Sequence, residues 1–159
     1  MIRLITLALL FTLLGGCASP SSIVLGSTGV ELANKLGSPT DKRANPQGGE
    51  FWDYSYGPEG TETWRFTVDG GGVVRGAEQL LTHERLYKVA PGTTEAGVME
   101  LLGKPRMVTR YRHETVWDWR VRLIANTGYF MVRFGSDGRA LGVSVLEDMT
   151  TDGHDRGDR

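Results

Sequence analysis

Residue types that carry catalytic chemistry are few in this chain, and they are scattered. The three histidines, His83, His113 and His154, stand singly at a helix start, in a loop and in the C-terminal tail. No pair has the spacing of a zinc-binding helix, and no serine is framed by glycines as in a hydrolase elbow. Cys17 is the only cysteine, so metal-assisted and nucleophilic catalysis have no constellation to use. Asp69-Gly70-Gly71-Gly72 looks at first like a phosphate loop, but it lies between two predicted strands with no Lys-Ser/Thr and helix after it. It reads as a hairpin turn, as does Asp137-Gly138. The expectation is a non-enzyme with no catalytic residue, no metal and no small-molecule substrate.

The cysteine does have a motif. Arg3 leads into an apolar run from Leu4 to Leu14, and Gly15 and Gly16 precede Cys17, the charged, greasy and small-residue order of an export signal. A membrane-spanning helix requires roughly 20 apolar residues, which this run lacks. Leu14-Gly15-Gly16-Cys17 resembles a bacterial lipobox, so residues 1–16 are expected to be removed and Cys17 to carry a diacylglycerol and an N-acyl chain in place of any cofactor. Residues 17–22 then form a short tether. Ala18 is not the aspartate that commonly retains lipoproteins in the inner membrane, which points to the periplasmic face of the outer membrane. Removing Arg3 moves the formal charge from -1 to -2, and near-neutral balance argues against nucleic acid, which calls for a basic footprint.

The elements between tether and tail repeat. Leu36-Gly37-Ser38-Pro39 returns as Leu102-Gly103-Lys104-Pro105, Trp52-Asp53-Tyr54 as Trp117-Asp118-Trp119, and Arg65-Phe66 as Arg133-Phe134. A period this long indicates a duplicated small domain, not a solenoid. Residues 23–78 form one unit and 79–149 the second, and 150–159 read as a disordered tail. In each unit a capped helix, with Thr28 and Glu31 at its start in the first and Thr93 or Thr94 with Glu95 in the second, ends at Gly37 or Gly103. A shorter helix capped by Thr82 precedes the second unit. Three strands follow each main helix: about 51–56, 63–68 and 73–75, then 116–123, 129–134 and 141–146. The predicted class is therefore α+β, with tandem units of two helices and a three-stranded antiparallel sheet.

Alternation sorts the second set of strands into two faces. Trp117, Trp119, Val121, Leu123, Phe130, Val132 and Phe134 share the face that packs on helices, and the tryptophans read as core. Arg120, Arg122, Tyr129, Met131 and Arg133 point the other way. Arginine, tyrosine and methionine together suit a contact surface for protein or lipid, and Asp53 and Arg65 are expected to extend it. Plain solvation of an arginine-bearing face is the other reading.

The order of these pieces, from Leu81-Thr82 through Pro91-Gly92-Thr93 and Leu101-Leu102-Gly103-Lys104-Pro105 to Trp117-Asp118-Trp119 and Phe134, resembles the SmpA/OmlA (BamE-like) family of outer-membrane lipoproteins over residues 23–147. Its doubling is similar to the tandem architecture of beta-lactamase inhibitor proteins. The resemblance implies the helix-plus-sheet unit, an acyl tether to the outer membrane and a non-catalytic adaptor role. The implied partners are the outer-membrane assembly machinery or another envelope protein. Inhibition of a periplasmic enzyme, or binding of lipid or cell-wall fragments, are the alternatives.

Overall fold

The computed structural model describes residues 19–56 and 60–148. The expected signal, Cys17 and the 150–159 tail lie outside the described residues. Among the described residues, no helix is long and apolar enough to cross a membrane.

The first unit opens with a 3-10 turn at Pro20–Ser22 and helix α1 (Gly29–Leu36). Thr28 and Glu31 close a capping box. The Thr28 hydroxyl accepts the Glu31 N–H at 3.2 Å, and the Glu31 carboxylate accepts the Thr28 N–H at 2.7 Å. That backbone bond is the main reason the Glu31 carboxyl sits below the ordinary carboxylate range. Four strands follow, β1 (Asp41–Ala44), β2 (Glu50–Tyr56), β3 (Glu62–Val68) and β4 (Val74–Gln79), all antiparallel and in sequence order. Leu32 of α1 packs on Tyr54, Phe66, Val68 and Val74 to form the first core.

Helix α2 (His83–Leu86), capped by Thr82, and helix α3 (Glu95–Leu102), capped by Thr94, open the second unit. Strands β5 (Met107–Arg110), β6 (Thr115–Arg122), β7 (Thr127–Phe134) and β8 (Ala140–Glu147) form its sheet. Leu86, Val98 and Leu102 pack on Trp119, Val121, Phe130, Val132 and Phe134. Trp119 also donates its indole N–H to the Gly103 carbonyl at 3.2 Å, which ties the sheet to the end of α3. Tyr54 makes the matching bond to the Gly37 carbonyl in the first unit.

The expected unit of two helices and three strands is overturned. Among the described residues each sheet has four strands, the helices are short, and the fold is mostly β. The strands missed are β1 and β5. Each has four residues and lies at a sheet edge, and Asp-Lys-Arg-Ala carries charge where alternation would have signalled a buried face.

The geometry also sharpens the repeat. Helices α1 and α3 are offset by 66 residues, as are β1 and β5 and the bridges Thr28–Val73 and Thr94–Arg139. The expected match of Arg65 to Arg133 slips by two residues. Arg65 pairs with Asp53, and the residue that pairs with the matching Asp118 is Met131. Shifting by two keeps the face in a strand, which is why the wrong match looked regular.

Candidate functional site

Alternation on β6 and β7 puts the apolar side chains inward as expected: Trp119, Val121, Phe130, Val132 and Phe134 are buried, with Trp117 and Leu123 packed at the margin. Their neighbours therefore lie on the outer face of the second sheet. Arg122 and Arg133 are exposed there, and Arg120, Tyr129 and Met131 are half-buried. The centre of the face is Tyr129, directly opposite Arg120 in the β6–β7 pairing. Its ring is flanked by two guanidinium groups, Arg106 at 5.0 Å and Arg120 at 5.8 Å from the ring centroid.

These arginines are held by carboxylates. Arg106 donates its Nε–H to Asp118 at 2.7 Å, Arg120 donates to Asp148 at 2.6 Å, and Arg133 lies 3.6 Å from Glu114. Arg120 also reaches the Thr127 hydroxyl at 3.3 Å. The result is a surface of planar groups set in position by their neighbours, with three of its arginines offset by carboxylates. Such a surface suits protein contact, where rigid aromatic and guanidinium groups carry most of the affinity. Asp118 was not singled out, although its place between the inward-facing Trp117 and Trp119 was the signal that could have found it. Arg106 was missed because its position depends on β5, the strand that alternation does not reveal.

Asp53 and Arg65 do not extend this surface, and that expectation is corrected. Both point to the outer side of their sheet, as alternation requires, but each is only 1% exposed because the end of α3 covers them. Asp53 grips Arg65 with two hydrogen bonds of 2.8 Å. The same guanidinium donates to the Glu100 carbonyl at 2.7 Å, to the Glu100 carboxylate at 3.2 Å and to the Met99 carbonyl at 3.4 Å. Arg43 adds a second cation 3.0 Å from Glu100. Helix ends leave carbonyls unsatisfied and negative, so a cation seated there is well placed. Burial pulls the Arg65 pKa down, but the Asp53 hydrogen bond and the charges of Asp53, Glu100 and Glu78 outweigh it and leave the pKa above its ordinary value. The pair joins the two units.

A second feature lies on the inner side of the second sheet. An apolar groove of about 450 Å³ runs between α2 and the β6–β7 turn, with Leu86, Val89, Val121 and Phe130 among its walls. Tyr87 and Ile124 at its margin are 85% and 97% exposed. Sequence periodicity did not signal it, because α2 is too short to cover the sheet. Among the described residues, no group of three His, Cys, Asp or Glu side chains is placed to hold a metal ion.

No family model and no curated protein matches the chain. Solved structures do. An extracellular protein containing an SCP domain from Bacillus anthracis is 15% identical with a TM-score of 0.32, over 78% of this chain and 44% of that one. The chain thus spans less than half the length of that protein. A DUF4309 family protein from Bacillus subtilis is 16% identical with a TM-score of 0.29, over 77% of this chain and 79% of its own. A putative beta-lactamase inhibitor protein from Streptococcus mutans is 12% identical with a TM-score of 0.36, over 80% of this chain and 86% of its own.

Proposed function

We propose that the protein is a non-catalytic binding protein of the bacterial envelope, acylated on Cys17 and held at the periplasmic face of the outer membrane, with the outer face of its second sheet as the partner contact. The observation that carries this reading is Tyr129 flanked by Arg106 and Arg120, each arginine fixed in turn by a carboxylate. Groups set in place before binding lose little freedom on binding. The role we assign is that of an adaptor, with barrel-assembly subunits or another envelope protein as the partner, in line with the SmpA/OmlA-like order of motifs.

Crosslinked capture from intact envelopes, with the full acylated chain as bait, tests the role. Recovery of barrel-assembly or other structural envelope subunits is the expected result. Recovery of one hydrolase in stoichiometric amount would make the protein an inhibitor instead. Lipid or cell-wall fragments without protein would move the site to the apolar groove beside α2. The anchor has its own test: palmitate should label the chain and fail to label Cys17→Ala, and equal labelling of both would remove the acylation.

A further inference from the structure

We propose that the outer face of the second sheet receives the C-terminal turn of a partner's helix, one with an acidic residue in that turn, as the first sheet receives α3. This rests on the partner-contact reading above and names the kind of partner.

The two units are copies offset by 66 residues, so the contact made by the outer face of the first sheet is a template for the same face of the second. On the first sheet, Asp53 orients a guanidinium whose remaining donors take the Met99 and Glu100 carbonyls and the Glu100 carboxylate. Gly103, just past the helix, sits so close that an added Cβ would lie 3.1 Å from Thr63 and 3.2 Å from Asp53. On the second sheet, Asp118 occupies the position of Asp53. It also orients a guanidinium, here that of Arg106 just before β5, while Met131 stands where Arg65 does. Arg106 uses its Nε–H on Asp118, leaving its two Nη groups to meet incoming carbonyls, with Tyr129 as a flat support.

Charge selects among possible occupants. Three of the four arginines, Arg106, Arg120 and Arg133, each lie against a carboxylate, which among the described residues leaves Arg122 as a single exposed cation on this face, whereas a phosphate-rich lipid surface calls for a cluster of uncompensated ones. Neutral carbonyls with partial negative charge suit it better, and one acid in the last turn adds a charge-assisted bond. A second copy fits less well. Its exposed counterpart of α3 is α1, which has Asn34 where α3 has Glu100 and carries the cation Lys35 in its last turn.

The test places a photo-crosslinking amino acid at Tyr129, and separately at Met131, in the full acylated chain, and maps the partner residue captured in intact envelopes. The expected crosslinks fall in the last turn of a partner helix that carries Asp or Glu there. Arg106→Glu should lower their yield about tenfold, the scale of one lost charge-assisted contact, and reversing the partner's acid to arginine should restore it. Arg106→Gln serves as the milder variant if the reversal disturbs the sheet. Crosslinks to a strand, a loop or lipid overturn the helix-end inference and leave the contact face standing. No crosslink from either position overturns both.

Discussion

Arg65 is 1% exposed and carries a full charge, so its partners decide whether it stabilises the chain or breaks it. Arg65→Met, which copies the residue at the matching place in the second sheet, removes the cation and leaves Asp53 buried without it. The expected loss is about 3–5 kcal/mol in denaturant unfolding. Adding Asp53→Leu to that variant should recover part of the loss, because an apolar pair is often as stable as the ion pair it replaces. Asp53→Leu that deepens the loss would mean the carboxylate does more than neutralise Arg65. Tyr54 supplies a pH test. Burial pushes its phenol up to about 12 from an ordinary value of 10.0. The folded state therefore keeps the proton that the unfolded chain releases, and the contribution is complete below pH 10 and fades as pH rises through about 12. Tyr54→Phe should flatten that part of the stability profile. An unchanged alkaline slope would show that Tyr54 is not its source.

At the scale of elements, the two helix ends make a matched comparison. Gly37 and Gly103 both combine a positive φ, 82° and 71°, with an extended ψ of -165° and -169°, a conformation essentially confined to glycine, so alanine at either is strained by about 1–3 kcal/mol. Only Gly103 has close neighbours: an added Cβ at Gly37 meets nothing within 4 Å. Gly103→Ala should therefore cost more than Gly37→Ala in thermal unfolding, and equal costs would mean α3 is not packed on the first sheet as described. Trp119→Ala should cost about 3–5 kcal/mol, since the ring is buried and its N–H is bonded to Gly103. The helix caps, the turns and the inward face of β6 and β7 were legible because each rests on local chemistry: Thr28 with Glu31, Asp137 with Gly138, and apolar residues at every second position. Strands β1 and β5 were not, because short edge strands bury too little to impose a pattern. For the first sheet, no local signal told that α3 would cover Asp53 and Arg65. That cover is set by tertiary packing between residues more than 30 positions apart.

For the whole molecule, the order of layers is α1, first sheet, α2 with α3, second sheet, and Arg65 bridges the middle contact. The outer face of the second sheet is the layer with no helix of this chain described upon it, and the account assigns that face to a partner. The most direct test is quantitative capture of the crosslinked partner by the Arg122→Glu/Arg133→Glu double variant beside the unmodified chain. Both residues are exposed, and the one ion pair lost, Arg133 with Glu114 at 3.6 Å, is exposed and worth about 1 kcal/mol or less, so the variant should stay folded and melt only slightly below the unmodified chain. The account predicts capture reduced about tenfold or more, the effect of losing at least one charge-assisted contact. Undiminished capture by the folded variant would contradict it.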